Sequence, residues 1–332
     1  MTRLLLTHTP DAFARYYGDS VLRQLQALAH VERHMDPRPL HGDALIERAR
    51  GCEIIVSDRA TPGEAALFAK SSDLVAFVRC AVDIRTVDVD AASANGVLIT
   101  QASPGFVDSV SELVIGMMVD LARGISATSA AYHRGDVPEI NMGTQLRGAT
   151  LGVVGYGAIG SRLAVLGAHL GMDILVHDPR VDAVHAPAKR VELPSLLKAA
   201  DFVICLAVAT DSTENLFDAK AFSLMKTSAF FINASRGNLV DEQALHAVLS
   251  ARAIAGAAMD VGRAPDQMPS RALASLPNVL ATPHIGGLTR QAVQHQAMET
   301  VGQVRSLLQG EMPDGAVNAE YASRVFSRRG RP

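Results

Sequence analysis

The sequence predicts an α/β protein built on a doubly wound parallel sheet, and three features carry that prediction. From Thr150 onward, short and nearly continuous apolar runs recur at 150–155, 173–177, 202–206, 229–233, 255–260 and 279–282. Strands of a parallel sheet read this way because helices cover both of their faces. Helix-length segments separate most of these runs, which implies right-handed crossovers between parallel neighbours. A glycine-rich turn, Gly155-Tyr156-Gly157-Ala158-Ile159-Gly160, follows the first run and opens an amphipathic segment at 159–170.

The first hundred residues read as a smaller α/β unit, with strands at 3–7, 53–56, 74–78 and 97–100 and a helix at 21–34. Pro104-Gly105 then breaks the chain. Ser109 and Glu112 have the spacing of a capping box, so a long helix is expected over 110–131, kept amphipathic by Leu113, Met117, Met118 and Leu121. Beyond Gly286-Gly287 a last long helix is predicted at 290–309, followed by an irregular tail with a basic end, 327–332, expected to lack order. His30 and His34 are expected to share a helix face. Two ligands are too few for a metal, so a solvated face is the reading and no metal is predicted.

Composition narrows the function. Lys and Arg number 31 against 34 Asp and Glu, a net charge of −3, which argues against nucleic acid as a partner. There is no Trp and few aromatics, so the core must be aliphatic. No apolar stretch approaches the roughly 18 residues of a membrane span, and the N-terminal apolar run is too short for a signal peptide. Three scattered cysteines form neither a disulfide framework nor a zinc motif, which points to a reducing, cytoplasmic setting.

The glycine turn alone is a weak signal. With 26 glycines in 332 residues, chance yields about 0.15 such matches. Its context makes it specific: a strand before, a helix after, and Gly171 where a helix-ending glycine belongs. The first glycine permits the tight turn, the second admits a pyrophosphate, and the third lets helix and strand pack closely. The helix N-terminus offers unpaired N–H groups to phosphate. Asp178 ends the next strand, 18 residues past Gly160. Its carboxylate suits a ribose diol and repels a 2′-phosphate, so NAD is favoured over NADP, with Arg180 nearby as the one contrary sign. Cofactor contacts are therefore assigned to Gly155, Tyr156, Gly157, Ala158, Ile159, Gly160 and Asp178.

In open parallel sheets the ligand crevice lies beyond the carboxyl ends of the strands. Three late strands run into Ala234-Ser235-Arg236-Gly237, Asp260 and Thr282-Pro283-His284. That trio suits redox chemistry on a hydroxy or keto acid. Arg236 is expected to grip a carboxylate through two parallel N–H bonds. His284 is expected to give or take the proton. Asp260 is assigned to the nicotinamide carboxamide, and Ala234 and Gly287 complete the cofactor set.

These residues resemble the D-isomer-specific 2-hydroxyacid dehydrogenases, the family of glyoxylate/hydroxypyruvate reductases and phosphoglycerate dehydrogenases. The resemblance runs from about residue 53 to 318. It includes Gly148-Ala149-Thr150-Leu151-Gly152, Leu224-Met225-Lys226, Asn233-Ala234-Ser235-Arg236-Gly237, Met259-Asp260-Val261 and Thr282-Pro283-His284. It implies a Rossmann-type NAD-binding domain, 102–287, inserted in a second, smaller flavodoxin-like α/β domain for substrate and catalysis, 1–101 with 288–332. It also implies a homodimer made through the NAD-binding domain, Arg236 as the substrate-binding arginine and His284 as the acid/base.

The departures are specific. The family places a His-orienting Glu about five residues beyond the aspartate that matches Asp260. Here the run is Gly262-Arg263-Ala264-Pro265-Asp266-Gln267. Asp266 is the favoured replacement, and Gln267 is the uncharged alternative. The family's glycine-rich substrate loop is here Ala81-Val82-Asp83, which with Arg59 forms the expected substrate contact. Asp83 places a negative charge near an anionic substrate unless Arg79, Arg85 or Arg59 pairs with it, and a salt-bridged loop residue is the favoured reading. The family's His-x-Pro is Leu206-Ala207-Val208, and its Trp is replaced near Val137-Pro138. Cys80 reads as a small buried residue.

The expectation is thus an NAD-dependent oxidoreductase of small D-2-hydroxy acids. The chain stops too early for the regulatory domain of many phosphoglycerate dehydrogenases, which tilts the expected substrate toward the glyoxylate/hydroxypyruvate type. The alternative is a non-enzymatic NAD(H)-sensing interaction protein on the same fold.

Overall fold

The computed structural model describes residues 1–328, so residues 329–332 of the basic tail lie outside the described residues. The chain forms two compact units, residues 1–105 with the chain from Arg290 on, and residues 106–289.

The first unit holds a five-stranded parallel sheet of β1 (Arg3–Leu6), β2 (His30–Arg33), β3 (Ile54–Ser57), β4 (Ala76–Arg79) and β5 (Leu98–Thr100), in the order β2-β1-β3-β4-β5. Alternation along the strands builds two cores. Leu4, Leu6, Val56 and Val78 pack on one face with Val21, Leu25, Val301 and Val304. Leu5, Ile55, Phe77 and Ile99 pack on the other with Leu45, Leu67 and Phe68. The helix Arg290–Leu308 belongs to this unit, where the Gln303 side-chain amide donates to Gln101 O at 2.9 Å.

Two expectations fail here. The helix predicted at 21–34 spans only Asp19–Gln26, and the stretch after it is β2. With one apolar residue in His-Val-Glu-Arg, this edge strand carries no pattern of its own. It exists because its backbone pairs with β1, Leu4 opposite Val31. His30 and His34 therefore share no helix face, and His34 Nε2 lies 2.8 Å from the Arg38 carbonyl oxygen. Among the described residues, no cluster of His, Cys, Asp or Glu fits a metal ion. The C-terminal stretch expected to be irregular also contains a helix, Ser323–Arg328, which buries Val325 in the core beside Ala322 just before it.

The second unit holds seven parallel strands: β6 (Thr150–Val154), β7 (Asp173–His177), β8 (Lys189–Arg190), β9 (Phe202–Cys205), β10 (Phe230–Asn233), β11 (Gly256–Met259) and β12 (Val279–Ala281), ordered β12-β11-β10-β9-β6-β7-β8. This is a doubly wound Rossmann-type sheet, and the six apolar runs are its strands. Only the two-residue polar edge strand β8 left no trace in the pattern.

The long helix predicted from a Ser109 cap starts earlier, spans Val107–Arg123, and has no side-chain cap. Ser109 is inside it, and its hydroxyl meets Thr289 Oγ1 at 2.7 Å. The helix also ends early, because Gly124 adopts φ +65° and a second helix, Ile125–His133, departs at 69°. Among the described residues no single helix is long and apolar enough to cross a membrane. Only this bent pair passes that test jointly, and its first member buries Val110, Val114, Met117 and Met118 in the core of the unit.

Candidate active site at the carboxyl edge of the second unit

The chain leaves β6 toward β7 on one side of the sheet and returns to β9 on the other. This strand reversal is where an open α/β sheet presents its ligand crevice. The glycine turn sits there, and its three glycines have three different reasons. Gly155 has φ +100°, and a side chain on it would collide with the backbone of Leu206 and Ala207. Gly160 has no room for a Cβ because the Gly155 carbonyl oxygen occupies that space. Gly157 faces open space, with nothing within 4 Å of where a Cβ would sit. Only the middle glycine is thus free of any internal packing reason, as expected where a pyrophosphate approaches the N-terminus of the helix Ala158–His169. No side chain caps that terminus.

Asp178 lies buried past the end of β7, one oxygen accepting the Tyr156 N–H at 2.8 Å and the other the Arg180 N–H at 2.9 Å. Each oxygen keeps a second lone pair for a ribose hydroxyl. Leu206-Ala207, which replaces the family's His-x-Pro, contacts the turn through backbone. The cradle therefore fits a dinucleotide. Gly171, at φ +78°, ends the helix as expected.

The next three strand ends are adjacent, because β11 pairs with β10 on one side and β12 on the other. Past β10, Asn233 staples the turn: its Oδ1 accepts the Ser235 N–H at 3.0 Å and its Nδ2 donates to Arg236 O at 2.9 Å. Arg236 Nη1 donates to Ser235 O at 2.8 Å. The next residue is glycine of necessity, since a Cβ on Gly237 would overlap the backbone of Gly262. The loop leaving β11 thus presses directly on the turn that carries Arg236. Ala234 also lies in this turn, its N–H 3.4 Å from Cys205 O.

Asp260 stands directly after β11. It is buried, and its carboxylate accepts the Thr282 hydroxyl at 2.6 Å, the Ile285 N–H at 2.9 Å and the Gly286 N–H at 2.8 Å. The carboxylate thereby shapes the loop past β12. That loop holds His284 at φ +55°, a left-handed conformation uncommon outside glycine. Gly287 packs its backbone on Phe106.

Asp266 lies in the loop that leaves β11. It is exposed, and its carboxylate accepts the Met268 N–H at 3.0 Å, closing its own turn. Gln267 beside it has φ +60° and a buried side-chain oxygen. Asn233 is the residue of this edge that sequence reasoning missed. For Asn233 the available signal was its short reach to neighbouring backbone at a strand end.

In the first unit, Asp83 pairs with Arg85, Oδ2 to Nη2 at 2.6 Å, and with Arg59 at 3.7 Å. The Arg85 hydrogen bonds hold its carboxyl well below the usual carboxylate range. Arg79 is fully buried and donates to Thr86 Oγ1 at 2.9 Å and to the Asp58 carbonyl. Ala81 is buried, and its carbonyl accepts the Ala102 N–H at 3.0 Å, while Val82 is partly exposed. Burial pushes the Cys80 thiol up to about 12.

Comparison with known proteins places the chain. Residues 115–286 match the D-isomer specific 2-hydroxyacid dehydrogenase, NAD binding domain. The chain is 34% identical over 269 residues to (S)-sulfolactate dehydrogenase of Chromohalobacter salexigens, covering 80% of this chain and 87% of that one. It is 31% identical over 283 residues to D-3-phosphoglycerate dehydrogenase of Methanocaldococcus jannaschii, covering 83% and 53%. The crystal structure of a Thermus thermophilus protein superposes with a TM-score of 0.83 at 27% identity, over 95% of this chain and 100% of that one. The chain belongs to the D-isomer-specific 2-hydroxyacid dehydrogenase family, and its second unit carries the family's NAD-binding domain. It spans 53%, 62% and 64% of the length of three phosphoglycerate dehydrogenase relatives.

Proposed function

We propose that the protein is an NAD-dependent oxidoreductase that interconverts a small D-2-hydroxy acid and its 2-keto acid. One observation carries the reading. The loops bearing Arg236 and His284 leave strands that flank β11, on the same sheet edge as the nucleotide cradle of β6. When bound, the cofactor supplies or accepts the hydride at C2. Arg236 binds the substrate carboxylate with its planar fork and fixes the carbonyl carbon in place. His284 donates a proton to the oxygen that gains negative charge during reduction and takes it back during oxidation. A positioned acid of this kind typically contributes 10²–10⁴-fold, roughly 3–5 kcal/mol of barrier. Gly157 and the helix N-terminus hold the pyrophosphate, and Asp178 the ribose.

We further propose that the first unit supplies substrate specificity through Ala81, Val82, Asp83 and Arg59, with Asp83 kept ionised and partly neutralised by its arginines. A homodimer through the NAD-binding unit is supported by apolar side chains left in solvent: Val137, Ile140 and Met142 between the helix Ile125–His133 and β6. A groove of about 480 Å³ lined by Val119, Ile125 and Tyr132 lies in the same unit. Three free, buried cysteines accord with a reducing cytoplasm.

The test is consumption of reduced nicotinamide across a panel of 2-keto acids. His284→Ala is expected to lower kcat by about 10²–10⁴ at unchanged NADH affinity, and Arg236→Ala to raise KM. Tight NADH binding with no turnover on any substrate would instead favour a sensing role.

A further inference from the structure

The turn that carries Arg236 is fastened on both sides. Toward β10 the Asn233 side chain holds it, donating to Arg236 O at 2.9 Å. Beyond Arg236 the chain makes one short helical turn, Gly237–Leu239, and runs on into Val240. That stretch is gripped by Arg263, from the loop past β11. Arg263 Nε donates to Val240 O at 3.0 Å and Nη2 to Asn238 O at 3.0 Å. Nη1 donates to Glu214 Oε1 at 2.8 Å, and Nη2 also donates to Asn215 Oδ1. The Arg263 backbone N–H donates to Glu242 Oε1 at 3.1 Å.

Three stretches of chain thus meet on one planar group. Glu214 joins two of them itself, because its other oxygen accepts the Asn238 side-chain amide at 2.9 Å. The Asn238 and Arg263 bonds hold the Glu214 carboxyl below the usual carboxylate range. An ion pair as open as Arg263–Glu214, with side chains 35% and 42% exposed, contributes little alone. The two bonds to backbone carbonyls set this arginine apart. They end at residues 238 and 240, just past Arg236. A guanidinium presents its donors in a fixed fork, whereas an ammonium in the same place is a single point. Backbone contact adds to the grip, since a Cβ on Gly237 would overlap Gly262 and the Arg263 nitrogen.

We propose that Arg263 is a positioning residue for substrate recognition: by fastening residues 237–240 it aims Arg236 at the substrate carboxylate. The inference rests on the role given to Arg236 above. Two parallel N–H bonds to a carboxylate form only if the guanidinium arrives in one place and one plane. A shift of about 1 Å in such a group costs up to about 10²-fold in rate. Asn233 fixes the near side of the turn and Arg263 the far side, so Arg236 inherits its aim from both.

The experiment is steady-state 2-keto acid reduction by the intact protein and its Arg263→Lys and Arg263→Met variants, with NADH affinity and amide hydrogen exchange measured alongside. Both variants are expected to raise KM for the keto acid about tenfold or more, with a smaller fall in kcat and unchanged NADH affinity. Exchange at Val240 and Asp241 is expected to quicken about tenfold or more. In an Arg236→Ala background, Arg263→Lys is expected to add nothing to the loss of kcat/KM, because the group it aims is gone. Additive losses overturn the inference, as does a wild-type KM in Arg263→Lys. If Arg263→Met does not fold, Arg263→Lys, which keeps the charge and the stem, decides alone. Absence of wild-type turnover would overturn the enzymatic reading instead, and the exchange rates would still decide whether Arg263 holds the turn.

Discussion

Asp260 holds His284 by the chain on either side of it. The carboxylate accepts the hydroxyl of Thr282, two residues before the histidine, and the N–H groups of Ile285 and Gly286, the two residues after it. The left-handed backbone of His284 is thereby clamped at both ends.

Asp260→Asn should loosen this clamp. An amide presents an NH₂ to donors that now meet an oxygen, which leaves at least one buried N–H or hydroxyl unpaired. The expected loss is about 2–4 kcal/mol of stability, read by urea denaturation, together with a fall in kcat larger than any rise in KM. A variant with full kcat would show that the clamp is irrelevant to catalysis.

The second and third glycines of the turn should separate binding from folding. Gly157→Val puts a side chain into open space at an ordinary φ of −75°. Its melting temperature should stay within a degree or two, while NADH affinity drops about tenfold or more from lost phosphate approach. Gly160→Ala forces a methyl onto the Gly155 carbonyl and should cost about 1–3 kcal/mol. Calorimetry and cofactor titration on both variants read the contrast, and equal losses of stability would refute it.

Acid should weaken the first unit through His8. Burial lowers its pKa to about 4 from 6.5, with Arg33 and Arg79 pushing the same way and Asp58 opposing. The folded imidazole stays neutral while the unfolded chain takes up a proton. Stability is then complete above about pH 6.5 and is lost progressively as pH falls toward 4, by an amount on the order of 3 kcal/mol. Urea midpoints between pH 7 and 4 should fall more steeply for the wild type than for His8→Gln. Parallel curves would assign the acid sensitivity elsewhere.

The exposed stretch after the bent helices should matter only for association. Ile140→Asp with Met142→Asp removes two apolar side chains that touch little of their own unit. Thermal stability measured at high dilution should be unchanged, while sedimentation should report half the wild-type mass. An unaltered mass would remove this stretch from the interface.

The sheets were legible in the sequence to the extent that their strands are buried on both faces. β6, β9, β10 and β11 carry nearly continuous apolar runs, and with β7 and the half-buried edge strand β12 they stand within a residue or two of their expected places. β2 and β8 are polar edge strands whose existence depends on a partner distant in the chain, so no local period betrays them. The helix break falls at Gly124, past the last of the apolar residues whose spacing predicted the helix, and the second helix buries only Ala131. At the site, the glycine turn and Asp178 could be read from spacing. The hold of Asp260 on Thr282, Ile285 and Gly286 could not, since it depends on how the ends of two neighbouring strands pack together.

The first unit has its own timing, because its first and last pieces are separated by a whole contiguous unit. One face of β1, β3 and β4 is covered by Val301, Val304 and Val325, and Asn318 donates to Val97 O at 3.0 Å while accepting the Ile99 N–H at 2.8 Å. During synthesis the nucleotide-binding half has all its strands in hand once residue 289 has emerged. The amino-terminal half must wait with an oily surface bare until the final helices arrive. Nascent chains of this protein are thus most exposed to chaperones and to aggregation in that interval, and ribosome-arrested chains ending before and after residue 325 should differ sharply in protease resistance of the amino-terminal half.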